Sequence, residues 1–184
     1  MLTDFNTKLG HMALATLAGE VVGLVFGYPT GGQARKPLAD YYTGSSSTML
    51  RHAATDTSPE CAHFHEHVAS LLERFADGEP VDFLDVPILL AGLTDFQRKV
   101  VAACRASAWG ETVTYGDLAR AVGRPGAARA VGTVMRKNRV PLIVPCHRVL
   151  ACGGRLGGYS SPSGLDMKRR LLALEKHEQL AGVV

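Results

Sequence analysis

Residues 114–137 read Thr114-Tyr115-Gly116-Asp117-Leu118-Ala119-Arg120-Ala121-Val122-Gly123-Arg124-Pro125-Gly126-Ala127-Ala128-Arg129-Ala130-Val131-Gly132-Thr133-Val134-Met135-Arg136-Lys137. Thr114 is an N-cap candidate, since its hydroxyl can accept from the N–H groups that open a helix, and the apolar Leu118, Ala121 and Val122 follow it. Gly123-Arg124-Pro125-Gly126 interrupts the pattern, and a second helical pattern runs over Ala127–Lys137. Two short helices joined by a glycine-containing turn describe a helix-turn-helix. The second helix carries Arg129, Arg136 and Lys137, while Ala127, Ala128, Ala130 and Gly132 are small enough to let its backbone approach another molecule. Taken alone, the pattern equally fits an αα-hairpin with solvated arginines.

The charge around this segment weighs against the plain hairpin. The 184 residues carry a formal net charge of +3, but the total hides two opposite halves. Residues 1–95 hold 5 Lys/Arg against 12 Asp/Glu, a net −7, and residues 96–184 hold 15 against 5, a net +10. A basic module beside an acidic companion points to a polyanionic partner, of which nucleic acid is the commonest.

Upstream of the pair, Phe96, Val100, Val101 and Cys104 form the apolar stripe of an amphipathic helix. In the N-terminal half, the apolar runs within Leu9–Phe26, on either side of Ala18-Gly19-Glu20, predict a β-hairpin. A short helix is expected over Gly31–Tyr42, followed by a flexible loop at Thr43-Gly44-Ser45-Ser46-Ser47. Ser58-Pro59-Glu60 supplies an N-cap, an N1 proline and an acidic first turn for a helix with Phe64, Val68, Leu71, Leu72 and Phe75 at helical spacing. Asp77-Gly78-Glu79-Pro80 ends it, and residues 81–95 read as an extended connector with a hydrophobic face, which places a domain boundary near Asp95.

With 46% hydrophobic and 20% charged residues the chain can bury real cores, so disorder is excluded as its main theme. Glu20 interrupts the best apolar stretch, and the start of the chain lacks a basic segment followed by an apolar one, so neither a membrane span nor an export signal is expected. Cys61, Cys104, Cys146 and Cys152 form no C-x-x-C pair and do not resemble a disulfide scaffold. Reduced thiols fit a cytoplasmic protein associated with the nucleoid in a bacterium, or a nuclear one in a eukaryote. Cys61-Ala62-His63-Phe64-His65-Glu66-His67 suggests a metal site, but on a helix only His63 and His67 share a face, so the expectation is a solvated histidine-rich helix and no metal.

Val140-Pro141-Leu142-Ile143-Val144-Pro145-Cys146-His147-Arg148-Val149-Leu150 sets a cysteine between a proline and a histidine at the end of an apolar run. The prolines limit the backbone, and His147 and Arg148 are expected to supply positive charge that favours thiolate. The alternative is a buried, inert thiol.

Val144-Pro145-Cys146-His147-Arg148-Val149 resembles the active-site motif of the O6-alkylguanine-DNA alkyltransferases, or methylated-DNA–protein-cysteine methyltransferases. The likeness runs from Phe96-Gln97-Arg98-Lys99-Val100 through Gly110-Glu111-Thr112-Val113-Thr114-Tyr115 and Gly123–Gly132 to Gly157-Gly158-Tyr159-Ser160 and Lys168–Glu175. The N-terminal half is similar only generically. The resemblance implies an α+β protein: a small ribonuclease-H-like sheet-and-helix domain over 1–94 with a structural role, then a mostly helical DNA-binding and catalytic domain over 95–184 with the helix-turn-helix. It also implies a monomer that needs no cofactor and binds double-stranded DNA containing O6-alkylguanine through the minor groove.

By the same resemblance, Cys146 accepts the alkyl group, His147 takes the thiol proton through a water, and Glu175 orients the imidazole. Asn138 braces the turn between the second helix and an active-site strand. Arg129 fills the space left in the base stack, and Tyr115 crowds the phosphate so that the damaged nucleotide rotates into the pocket. The Tyr115 hydroxyl and the Ser160 backbone donate to O6, and the Cys146 and Val149 carbonyls accept from the exocyclic amine. Arg136, Pro141 and Tyr159 complete the residues expected to contact substrate or DNA, and O4-alkylthymine is a second lesion of interest. A thioether has no hydrolytic exit, so the alkylated protein is spent.

Some positions depart from the family's pattern. Arg139 stands where proline is common, loosening one wall of the loop and offering a phosphate contact; Val101 replaces a frequent tryptophan; Ser107-Ala108 lacks a usual proline; and the loop at Ser160–Gly164 is longer. The nucleophile position is cysteine, not the tryptophan of non-repairing relatives. Two rival functions are a lesion sensor that keeps the flipping pocket without repair, and a thiol hydrolase built on Cys146 and His147.

Overall fold

The computed structural model describes residues 1–43 and 58–175, which fall into two compact units divided between Leu89 and Leu90. Beyond Thr43, the loop expected at 43–47 lies outside the described residues.

The first unit is built on an antiparallel meander of β1 (Leu2–Thr7), β2 (Gly10–Leu17) and β3 (Glu20–Tyr28) in the order β1-β2-β3. The expected hairpin is β2–β3, closed by Ala18-Gly19, both at positive φ, the two-residue turn whose twist matches that of the strands. β1 lies outside the expected hairpin, its exposed and half-exposed residues carrying neither a regular alternation nor a strong apolar signal. In β2, by contrast, Met12 to Thr16 are all buried, as befits a central strand covered on both faces.

Ala13 and Ala15 pack with Ala34 and Leu38 of α1 (Gly31–Thr43). The opposite face meets α2 (Pro59–Ala76), whose N-cap Ser58 accepts from Cys61 N–H and whose Val68, Leu72 and Phe75 are fully buried. The histidines of α2 divide in a way the sequence reading missed. His63 and His67 are exposed, but His65 is buried, its Nδ1 2.8 Å from Thr16 Oγ1 and its Nε2 2.6 Å from Thr3 Oγ1, so it ties α2 to β1 and β2. Burial holds its pKa below the usual histidine value, which suits a neutral imidazole shared by two hydroxyls.

The connector after α2 buries Val81, Phe83, Val86 and Ile88, with the Phe83 ring 5.9 Å from that of Phe75. Ile88 bridges to Val21, which ties the segment to the sheet and brings the division between units to Leu89, short of Asp95.

The second unit contains α3 (Asp95–Arg105), α4 (Tyr115–Ala121), α5 (Ala128–Arg136) and α6 (Leu165–Leu174). Thr94 caps α3 reciprocally with Gln97, and Thr114 caps α4 reciprocally with Asp117. Val131, Val134 and Met135 supply the buried side of α5. A short parallel pair, β4 (Val113–Thr114) with β5 (Val149–Leu150), sets the start of α4 beside the turn that carries Cys146. No helix among the described residues is long and apolar enough to cross a membrane.

Phe75→Ala empties a fully buried site in the first unit, and urea unfolding should show a loss of about 3–5 kcal/mol. A loss below about 1 kcal/mol would mean that α2 does not form the core described.

Candidate active site

The apolar run Val140–Pro145 forms no regular strand, and the active-site strand is the short β5 that follows Cys146–Arg148. Pro141 and Pro145 lack N–H groups for a ladder, and the chain instead turns back on itself, Val144 N–H donating to the Val140 carbonyl at 2.9 Å. Leu142 sits in this turn at φ 71°, a left-handed conformation costly for a branched side chain, while its side chain is only 1% exposed. Asn138 staples the turn. Its Oδ1 accepts from Val140 N–H at 3.1 Å, and its Nδ2 donates to the Val144 carbonyl at 2.8 Å and to Cys146 Sγ at 3.2 Å.

Cys146 opens a 3-10 turn (Cys146–Arg148) on the wall of a pocket of about 360 Å³. Tyr115 and Gly132 come from α4 and α5, Met135 and Arg136 from the end of α5, and Gly158, Tyr159 and Ser160 from the later loop; Asn138 and Pro141 complete the lining. Arg129 lines a second, wider recess with Tyr115, Gly132 and Cys152. The structure therefore gathers Tyr115, Arg136, Asn138, Pro141, Cys146, Tyr159 and Ser160 around one cavity, with Arg129 in the recess that shares Tyr115. A Cβ at Gly157 would lie 2.8 Å from the Tyr115 hydroxyl, so only glycine leaves that ring its place.

Behind the sulfur lies a buried charge network. Glu175, just past the C-terminus of α6, accepts from His147 Nε2 at 2.8 Å, from Arg148 Nε at 2.9 Å and Nη2 at 2.8 Å, and from Gly110 N–H at 3.2 Å. Burial alone would push its carboxyl up, but the hydrogen bonds from His147 and Arg148 and the Arg148 charge bring it down to about 2. Burial lowers the pKa of His147 despite the carboxylate beside it, so the imidazole is neutral at pH 7. A carboxylate only accepts, so Nε2 carries the hydrogen and Nδ1 is the basic nitrogen.

This arrangement corrects the expected electrostatics of Cys146. Burial pushes the thiol up, opposed by the Asn138 hydrogen bond and the charge of Lys168. His147 is neutral, and Arg148 is turned to Glu175 and to the Ser107 carbonyl, so neither makes a ready thiolate. The site holds a protonated thiol near a neutral base.

Lys168 had no assigned role in the sequence reading. It is fully buried on α6, its Nζ donates to the Val149 carbonyl at 2.6 Å, and burial lowers its pKa to about 8. A lysine flanked by Asp166, Arg169 and Arg170 gives no sequence signal of burial. The Val149 carbonyl, expected to accept from guanine, thus already uses one of its lone pairs. Cys104 is core as expected, the four cysteines are free thiols, and no group of three or more metal-ligating side chains occurs among the described residues.

Glu175 binds its proton less readily when folded (about 2) than unfolded (about 4.5), so its contribution is complete above pH 4.5 and is lost as pH falls towards 2. Unfolding free energy measured across that window should fall steeply in the native protein and more gently in Glu175→Gln, from a lower starting value. Parallel curves would contradict the buried ion pair.

The sequence profile described as the DNA-binding domain of 6-O-methylguanine DNA methyltransferase matches residues 95–177. The methylated-DNA–protein-cysteine methyltransferase of Mycobacterium leprae is 45% identical over 125 residues, covering 68% of this chain and 73% of that protein. Its counterpart from Methanosarcina acetivorans is 42% identical over 120 residues, covering 65% and 74%. Among solved structures, Mycobacterium tuberculosis OGT in complex with DNA superposes with a TM-score of 0.68 at 32% identity, covering 95% of this chain and 92% of that one. The O6-methylguanine-DNA methyltransferase of Pyrococcus kodakaraensis superposes with a TM-score of 0.68 at 29% identity, covering 95% and 97%. With the likeness extending through most of the length of such relatives, this chain belongs to the methylated-DNA–protein-cysteine methyltransferase family.

Proposed function

We propose that this protein repairs DNA by moving the alkyl group of O6-alkylguanine onto Cys146, once per molecule. The observation that carries the reading is the buried Cys146 thiol on the pocket wall, followed in the chain by a neutral His147 locked to the ionised Glu175. The thiol proton passes through a water to His147 Nδ1. The sulfur then attacks the alkyl carbon in line, an S–C bond forming as the C–O6 bond breaks, and the electron pair departs on guanine. Donors at O6 make guanine a better leaving group. The Tyr115 hydroxyl, kept neutral by burial, suits that role together with the Ser160 N–H.

α4 and α5 form the proposed helix-turn-helix, lying in the minor groove, where the small residues of α5 allow close approach and Arg129 enters the stack. Its exposed position at the start of α5, beside the recess shared with Tyr115, supports this role. Residues 95–184 would then be the DNA-binding and catalytic domain and residues 1–94 a ribonuclease-H-like scaffold, the protein acting as a monomer. A sensor that does not repair has no use for a relay behind the sulfur, and a hydrolase needs an intermediate that water can cleave, which a thioether is not.

Incubation with duplex DNA containing O6-methylguanine should add the mass of one methyl group to the intact protein and none to Cys146→Ala. Tight binding without a mass change would favour the sensor. Arg129→Ala should slow repair of duplex by about tenfold or more while leaving reaction with free O6-benzylguanine within about twofold; equal losses would make the arginine structural. Affinity for undamaged duplex should fall by roughly tenfold or more between 50 and 200 mM salt, and a flat response would sink the reading of the basic half as a DNA surface.

A further inference from the structure

We propose that the Tyr159 hydroxyl is a hydrogen-bond donor held for the Cys146 sulfur, stabilising it once its proton has left, so that Tyr159 is a positioning residue for the alkyl transfer as well as a wall of the pocket. The inference rests on the reading of Cys146 as the nucleophile. Tyr159 lines the same cavity as Cys146, yet its phenol oxygen is buried and has no hydrogen-bond partner among the described residues. Buried hydroxyls are nearly always paired, and one kept unpaired in a reaction pocket is a group reserved for what enters or changes there. Phenylalanine would fill the same volume without that cost.

The Tyr159 oxygen is buried at the pocket that Cys146 also lines. Its ionisation is opposed by burial first, then by the negative charges of Cys146 and Glu175. The phenol therefore stays neutral and keeps a proton to donate. The sulfur needs such a donor. Cys146 is buried, and the donor it has, Asn138 Nδ2, stands at 3.2 Å. The other titratable groups that sense its charge are Cys104 of α3, Tyr115 of α4 and Lys168 of α6. Cys104 is held protonated by burial, Tyr115 serves the leaving oxygen, and Lys168 is turned to the Val149 carbonyl, acting on the sulfur as a charge. His147, oriented by Glu175, takes the proton. When the S–H proton passes to His147, the Tyr159 O–H turns to the thiolate or to the water beside it, a charge-assisted bond that exists only in the ionised state.

The test needs no DNA. Alkylation of the Cys146 peptide by iodoacetamide is followed by mass spectrometry across pH in the native protein and in Tyr159→Phe, Lys168 being common to both. The inflection should move up by about one pH unit and the rate at pH 7 should fall about tenfold. The thermal midpoint should stay equal or rise, since an unpaired buried hydroxyl has been removed. An unchanged inflection overturns the proposal, and so does a uniform loss of rate at every pH with a lowered midpoint, the mark of a packing role. Failure of the native protein to take a methyl group from O6-methylguanine DNA would instead overturn the functional reading while leaving this inflection measurable.

Discussion

The active unit is organised around one buried carboxylate. Glu175 follows the C-terminus of α6, where the helix dipole already disfavours a negative charge, and its side chain has no exposure to water. Such a position is tolerable only because Arg148 binds it through two nitrogens and His147 through a third. The same contacts fix α6, the 3-10 turn of Cys146–Arg148 and, through Gly110 N–H and the Ser107 carbonyl, the segment after α3. Removing one partner would strand the others as uncompensated buried charges. The network is therefore a folding constraint that also sets the tautomer of His147, the proposed base.

The turn that presents the sulfur is held against its own preference. Leu142 pays for a left-handed backbone with full burial, and Asn138 clamps the loop at two backbone points while reaching Cys146 Sγ. Arg139 follows Asn138 directly, yet the clamp is complete without a proline ring at that position. The result is a thiol kept protonated by burial, which, in the proposed transfer, limits stray reactions of a group that can be used only once.

Much of this was legible in the sequence where local chemistry decides it. The helices after Ser58 and Thr114 begin at those caps, and the β2–β3 hairpin turns at Ala18-Gly19. The pocket set around Cys146 could be named because its motif residues are contiguous in short blocks. What escaped depends on partners distant in the chain. β1 has no strong alternation and is recognisable only beside β2. His65 reads as one of three histidines on a helix until Thr3 and Thr16 are brought to it. Arg148 reads as a cation near a cysteine, and only Glu175, 27 positions away, shows that its charge is already committed. Lys168 lies in a charged stretch, and its burial follows from packing that no local pattern records.

The central claim is that the Glu175 clamp makes His147 the base for a thiol that burial keeps protonated. The single-turnover rate of methyl transfer at pH 7, measured for Glu175→Gln beside its affinity for the same duplex, addresses it most directly. The account requires a rate loss of about 100-fold or more with affinity nearly unchanged, as expected when a positioned base is lost. A Glu175→Gln protein that is less stable yet transfers the methyl group at the native rate would reduce the carboxylate to a structural clamp and contradict the account.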